Sequence, residues 1–364
     1  PGPGACSLMG TANTMQIIAE ALGMALPGSS TVPAVYAEKL RFAKSTGRRI
    51  VAMVKSDLRP SAVVTRASLL NAITVELAIA GSTNAVMHLI SFAREMGIDI
   101  GLDDFDRLSR TVPVISRVIP TGRATVVDLH NAGGVPAIMG ELSSMLDVGA
   151  KNVSGQTVKE IIKDNRSTDT SVLTTIEDPV FASGGIAVLK GSLAPSGAIG
   201  RITTIPDNRM THRGPARIFH SDEDAYHAVT TAKIKAGDVI IILYEGPVGA
   251  PGMREMMLTT DALVGAGMAD DVFVVTDGRF SGFTEGSAIG HVAPEAAIGG
   301  PIAIVEEGDP VMIDIPSRKL DLDISEKEIA RRLEDWSPPP PKVKRGILAV
   351  YAKTALQANQ GAMI

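Results

Sequence analysis

The sequence predicts a mixed α/β chain in two parts. Residues 1–174 read as an incomplete α/β portion, and residues 175–364 as a strand-rich, barrel-like β unit with a closing helix. Three observations carry this. Helix-period and strand-like stretches alternate through the first half, the pattern of α/β packing. The composition turns polar near 164–184, where DNRSTDTS is followed by FASGG. Beyond it, short apolar runs are bounded by Gly and Asp turns and read as strands.

The elements follow in order. NTMQIIAEALGMAL (13–26) reads as a helix with Asn13 as its cap and Gln16 three residues on. Ile17, Ala21, Leu22 and Ala25 share one face, and Pro27-Gly28 stops the helix. RRIVAMV (48–54) reads as a strand, with another near 112–118. Apolar helical stretches are expected around 67–97 and 123–145. The second half contributes the strands GIAVLKG (185–191), DVIIILYEG (238–246), DVFVVTDG (271–278) and PIAIVEEGD (301–309). VMIDIPSRKLDLDI (311–324) alternates with period two on both sides of Pro316-Ser317 and predicts a hairpin. SDEDAYHAV, opened by Ser221, and SEKEIARRLEDW, with Ser325 and Glu328 as a capping box, are helices. PPPP (338–341) ends this run, and KRGILAVYAKTALQA is expected to pack back as the final helix.

Composition narrows the function. Hydrophobic residues make up 45% of the 364, ample for a core, and the net charge is −5. No Lys/Arg cluster resembles a nucleic-acid footprint, so no nucleic-acid partner is expected. No apolar run reaches the 18 or so residues of a membrane span, so no membrane role is expected. No charged-then-apolar leader opens the chain, which begins at Pro1 rather than Met. One cysteine excludes an internal disulfide and fits a cytoplasmic location.

That cysteine is Cys6, in GPGACSLMGTANTM, a glycine-rich loop ahead of a helix. A lone cysteine is most often a small buried thiol. Here glycines let backbone N–H groups approach the sulfur, and the helix turns its positive end toward it. YEGPVGAPGMREMM (244–257) is a Gly/Pro loop leading into a helix at about 253, with Glu255 in the first turn. Glu255 there is either a carboxylate favourably placed at a helix start or a hard ligand for Mg²⁺. In VVTDGRFSGFTEG (274–286) an apolar strand ends at Thr276-Asp277-Gly278, and Ser281 follows. The carboxyl ends of strands are where α/β sheets bind ligands. Residues 279–283 do not form a G-x-S-x-G elbow, and His291 is the nearest histidine in sequence, so an acyl-transfer triad is disfavoured. Ser281 is then a turn residue or a group with other chemistry, and Arg279 either pairs with Asp277 or holds a carboxylate. AGSTNAVMHL (80–89) offers an anion cradle or an ordinary helix cap. His88 and His130 sit in apolar helical patterns and read as core residues.

Taken together and in this order, these stretches resemble the dihydroxy-acid dehydratase / phosphogluconate dehydratase family. The resemblance rests on GPGACSLMGTANTM, EALGMALPGSS, AGSTNAVMHL, GGIAVLKGSLAPSGA, PGMREM, TDGRFSG, GHVAPEAAIGGPIA and the closing YAK…GA. PGMREM and TDGRFSG are most similar to the dihydroxy-acid branch, ahead of the sugar-acid branch. The resemblance implies a hydro-lyase that converts 2,3-dihydroxy acids to 2-oxo acids, as in valine and isoleucine biosynthesis. It implies an iron–sulfur cluster (2Fe-2S or 4Fe-4S) held by three cysteines, of which Cys6 matches the last. It implies Mg²⁺ with Glu255 as one ligand, Ser281 as the base, a small dihydroxy-acid substrate and a homodimer. The family's other cluster and magnesium ligands would lie upstream of residue 1, so the chain is expected to be the C-terminal two-thirds of such an enzyme. The alternatives are an aldonic sugar-acid dehydratase of the same family, or an inactive fragment that needs an N-terminal partner.

Overall fold

A computed structural model describes residues 4–364. Gly2 and Pro3 of the expected cysteine loop lie outside the described residues. The chain forms two compact units. The first comprises residues up to Ala85, Phe92–Ile100 and Asp104–Gly185; the second comprises Val86–Ser91, Gly101–Asp103 and Ile186–Ile364.

The first unit is built on helices α1 (Thr11–Ala21), α2 (Ala37–Lys55), α3 (Pro60–Val63), α4 (Arg66–Ala78) and α5 (Asn84–Glu95, its middle in the second unit). They are followed by α6 (Leu102–Ser109), α7 (Val126–Asn131), α8 (Gly134–Glu141) and α9 (Val158–Ile162). In α4, Leu69, Ile73, Val75 and Leu77 are all fully buried. Buried nearly all round, with Asn71, Thr74 and Glu76 also inside, α4 lies in the interior of the unit, and α1 packs directly on it. Thr65 and Ser68 close a reciprocal capping box at its start.

Two strands expected here are not formed. RRIVAMV lies within α2, whose Ile50, Val51 and Val54 are exposed. Its β-branched residues suggest a strand, but no breaker stronger than Gly47 interrupts a helix with Glu38 in its first turn and Lys55 in its last. Residues 112–118 make only isolated bridges, Val114 to Phe181, Ser116 to Leu173 and Val118 to Ala124. The cap of α1 also differs. Gly10 is the N-cap residue, and the Asn13 amide instead donates to the carbonyls of Cys6 and, at 2.7 Å, Leu8.

The second unit is the expected strand-rich, barrel-like body. Its strands are β1 (Ile186–Leu189), β2 (Gly197–Arg201), β3 (Thr211–Phe219), β4 (Val239–Ile242), β5 (Phe273–Thr276), β6 (Ser287–Ala293), β7 (Pro310–Asp314) and β8 (Lys319–Leu322). Their order in the sheet is β1-β2-β6-β5-β4-β3-β7-β8. A single parallel bridge between Lys190, just after β1, and Lys319 of β8 brings the outer strands together, so the sheet is nearly closed. β3, β4, β5 and β6 run parallel, and the remaining pairs are antiparallel. VIII and FVVT, the central parallel strands, are buried on both faces and so read as unbroken apolar runs. Ile241, Val275, Ile289, Ile313 and Leu320 fill the interior. Ile240, Ile242 and Val274 pack outward with α10 (Asp222–Thr230) and α11 (Met257–Gly265). The predicted hairpin is present as β7 and β8. The last helices are α12 (Glu326–Asp335), capped by Ser325, and α13 (Ile347–Thr354). PIAIVEEGD is not a strand: Pro301 opens a 3-10 turn, Pro301–Ile304, because proline has no N–H to give a ladder.

Candidate active site

The parallel strands β3 to β6 send their carboxyl ends to one side of the second unit. His220 follows β3, Tyr244-Glu245 follows β4, Asp277 to Ser281 follow β5, and Glu295 follows β6. This is the end of a parallel sheet at which ligands bind.

Asp277 organises it. Fully buried, it accepts from the backbone N–H of Glu245 (2.8 Å), Tyr244 (3.2 Å) and Ala296 (2.9 Å). Burial, and then the nearby Glu295 carboxylate, push its pKa from 3.8 up to about 7. Asp277 thus ties three strand-end loops together. Gly278 comes so close that a Cβ would lie 2.9 Å from the Glu245 Cβ and 3.1 Å from the Arg254 carbonyl.

Arg279 is held by its backbone and its side chain. Its N–H donates to the Arg254 carbonyl at 3.0 Å, its carbonyl accepts from Met256, and its Nε donates to the Met253 carbonyl. A bridge joins it to Glu255, and the two side chains form an ion pair at 3.8 Å. The helix after this loop starts at Met257, not at 253, so Glu255 precedes α11 and is aimed by its bridge to Arg279. Ser281 is half-buried, and its Oγ accepts from the Phe283 N–H at 3.2 Å.

Other polar groups surround this turn. His291 is 3% exposed, and burial, Arg279 and His88 together lower its pKa to about 3, so the ring is neutral. The His291 backbone N–H donates to the Gly278 carbonyl at 2.8 Å. His88 is half-buried rather than core; burial first, then Arg279, lowers its pKa, while Glu255 opposes this. Glu245 is fully buried, and burial raises its pKa against the opposing pull of Lys342, whose Nζ lies 3.0 Å away. Tyr244, Met253 and His291 all have left-handed backbones, with φ of 62°, 53° and 56°. Such non-glycine conformations cost about 1–3 kcal/mol each and collect at functional sites.

In the first unit Cys6 is an exposed free thiol. It lines a cleft with Asn13, Gln16, Ser30, Thr31 and Lys39. The Gly81–Asn84 stretch is satisfied internally. Ser82 Oγ lies 2.8 Å from Thr11 Oγ1, Ser82 N–H donates to Thr14 Oγ1 at 3.1 Å, and the Asn84 amide donates to Thr11 Oγ1 at 2.9 Å. His130 is half-buried, with Nδ1 3.2 Å from Thr31 Oγ1.

Of the residues singled out from sequence, Glu255, Arg279 and Ser281 belong to the second unit and Cys6 to the first. Among the described residues no three His, Cys, Asp or Glu side chains converge as a metal site. Cys6 and Glu255 each fit as a single ligand and do not complete a set. Sequence reasoning passed over Glu245, Glu295 and Gln357. The signal for Glu295 was present, in a Pro294-Glu295 step followed by Gly299-Gly300.

Comparison with known proteins shows the family of the chain. Residues 1–161 match the dihydroxy-acid/6-phosphogluconate dehydratase N-terminal family, and residues 171–362 match its C-terminal counterpart. The dihydroxy-acid dehydratase of Acetivibrio thermocellus is 48% identical over 100% of this chain and 66% of its own length. That of Ignicoccus hospitalis is 50% identical over 99% of this chain and 66% of its own length. That of Caldanaerobacter subterraneus is 46% identical, again with 66% of its length matched. The chain thus spans about 66% of the length of these curated relatives. With both halves matched in order and nearly half of all positions identical, the chain belongs to the dihydroxy-acid/6-phosphogluconate dehydratase family.

Proposed function

We propose that this chain carries the proton-transfer centre of a hydro-lyase that converts 2,3-dihydroxy-3-methyl acids to 2-oxo acids, the dehydration step of valine and isoleucine biosynthesis. The observation that carries the proposal is the turn after β5, where Ser281, Arg279 and Glu255 are held at the carboxyl end of a parallel sheet.

The reaction removes the proton from C2 and expels the C3 hydroxyl. Ser281 Oγ is the proton acceptor. An N–H already donates to that oxygen from Phe283, which favours its deprotonated form, as donors do at an oxyanion. Arg279 adds a fixed positive charge and holds the substrate carboxylate. Neutral His291 and the buried carboxylates behind it keep the turn rigid. The departing C3 hydroxyl takes a proton from solvent and leaves as water, and the enol becomes the 2-oxo acid as C3 gains a proton and the 2-hydroxyl releases one, while Ser281 returns the C2 proton to solvent. An iron–sulfur cluster (2Fe-2S or 4Fe-4S) and Mg²⁺, when bound, supply Lewis acidity toward the leaving hydroxyl and the substrate oxygens. In this reading Cys6 gives one thiolate to the cluster and Glu255 one oxygen to Mg²⁺, and the protein works in the cytoplasm as a homodimer. No described helix is long and apolar enough to cross a membrane.

A substrate comparison tests the proposal. The cofactor-loaded protein is assayed anaerobically with 2,3-dihydroxy-3-methylbutanoate and with a straight-chain aldonic acid, and 2-oxo acid is measured. Preference for the branched acid is expected. Preference for the aldonic acid places the activity in the sugar-acid branch, and 2-oxo acid from neither contradicts the dehydratase reading.

A further inference from the structure

The last residues of the chain close on the loop that carries Glu255, through half-buried hydrogen bonds and a buried apolar cluster. Gln357 and Glu295 bond twice. The Glu295 N–H donates to Gln357 Oε1 at 2.9 Å, and Gln357 Nε2 donates to Glu295 Oε1 at 2.7 Å. The Glu295 carboxylate is 1% exposed and also accepts from the N–H groups of Val248 (3.0 Å) and Gly249 (2.9 Å). A Cβ on Gly246 would lie 2.6 Å from Glu295 Oε2, so the backbone runs directly against this carboxylate. Glu295 is therefore the hub of the 246–249 stretch.

From that hub the loop leads into the site. Ala250 N–H donates to the Gly246 carbonyl at 2.9 Å and Met253 N–H to the Ala250 carbonyl at 2.7 Å. The carbonyls of Met253 and Arg254 then receive Nε and N–H of Arg279. The Met253 side chain is buried in a small cluster with Met87, Ala358 and Ala362. The tail thus grips the loop twice, by an amide hook at Gln357 and by an apolar clamp at Ala358 and Ala362.

The chemistry favours an amide at 357. Burial pushes the Glu295 carboxyl upward, and donors to it oppose that shift. Its neighbour must give one hydrogen bond to the carboxylate and take one from the Glu295 N–H. A primary amide does both with one end of one side chain.

We propose that Gln357 is a positioning residue. By holding Glu295 it fixes the 246–256 loop, and through that loop it sets the direction of Arg279 and Glu255. The inference rests on the reading of the Glu255–Arg279–Ser281 turn as the active centre.

The test uses the 364-residue chain, deuterated and ¹⁵N-labelled, with two isosteric variants. Gln357→Met removes both hydrogen bonds, and Gln357→Glu keeps the acceptor and loses the donor. Amide exchange and the Arg279 Nε–H resonance are followed by NMR. In both variants exchange at Val248, Gly249 and Arg279 is expected to rise roughly tenfold or more. The Arg279 Nε–H resonance is expected to move, while Ile240 and Ile241 in β4 keep their rates. Ile313→Val, a core change in β7, should leave the loop signals in place. Unchanged Arg279 signals, or equal acceleration in the loop and in β4, would overturn the proposal. Neither readout depends on turnover, so an inactive Ser281→Ala variant or an absent dehydratase activity bears on the site reading alone.

Discussion

At the scale of single residues, the contrast between two glutamates is the sharpest. Glu255 is held beside Arg279 by a backbone bridge and a 3.8 Å ion pair. Glu285 is exposed on the loop beyond Ser281. If Glu255 is a magnesium ligand, Glu255→Gln in the cofactor-loaded protein should lower turnover and raise the Mg²⁺ requirement roughly tenfold or more. Glu285→Gln should change either by less than about twofold, as surface substitutions do. Titration of activity with Mg²⁺ checks this, and equal losses from both changes would count against the assignment. Stability should hardly separate the two variants, because a partly exposed ion pair contributes only about 0–1 kcal/mol.

At the scale of elements, α1 illustrates how a helix anchors a loop and what this does to pH dependence. Glu20, 4% exposed near the end of α1, accepts from the N–H groups of Gly28 (2.5 Å) and Ser30 (2.9 Å). Burial outweighs these donors and raises its pKa from 4.5 to about 7. Between those values the folded chain keeps a proton that the unfolded chain releases, so this group makes stability fall as pH rises from about 4.5 to about 7. Asp277 acts in the same direction in the other unit, between 3.8 and about 7. Urea unfolding at pH 5 and pH 8 should show lower stability at pH 8 from these groups. Glu20→Gln should shrink the difference, whatever it does to stability at either pH. A difference unchanged by Glu20→Gln would show that Glu20 does not titrate in this range.

The elements were legible from sequence where local pattern and tertiary role coincide. Unbroken apolar runs gave β4 and β5, period-two alternation gave β7 and β8, and Ser221 and Ser325 do cap α10 and α12. Legibility failed where tertiary context decides. RRIVAMV has strand composition but lies inside a long helix, and Pro301 turns an apolar run into a 3-10 turn. The site was legible in part. Glu255 and Ser281 stand out in glycine-rich stretches of the chain. Glu295, Gln357 and Lys342 do not, because their roles arise from contacts across 62 and 97 residues of sequence.

At the scale of the whole molecule, the candidate centre around Ser281 is built by the parallel part of a mixed sheet. Four strand ends converge there, and three buried carboxylates, Glu245, Asp277 and Glu295, lie behind the exposed chemistry. Asp277 and Glu295 accept from backbone N–H groups and Glu295 also from Gln357, while Glu245 meets Lys342 through one oxygen, and these contacts hold the turns around Arg279 and Ser281. The central claim is that Ser281 takes the C2 proton, and Ser281→Ala in the cofactor-loaded protein tests it most directly. Turnover of 2,3-dihydroxy-3-methylbutanoate and exchange of its C2 hydrogen with solvent are measured together. Both should fall in step by a factor on the order of 10² or more, with substrate binding largely kept. If Ser281 only shapes the turn, the variant should instead lose about 0.5–1.5 kcal/mol of stability for one hydrogen bond. An alanine variant with unchanged turnover and unchanged C2 exchange would contradict the account.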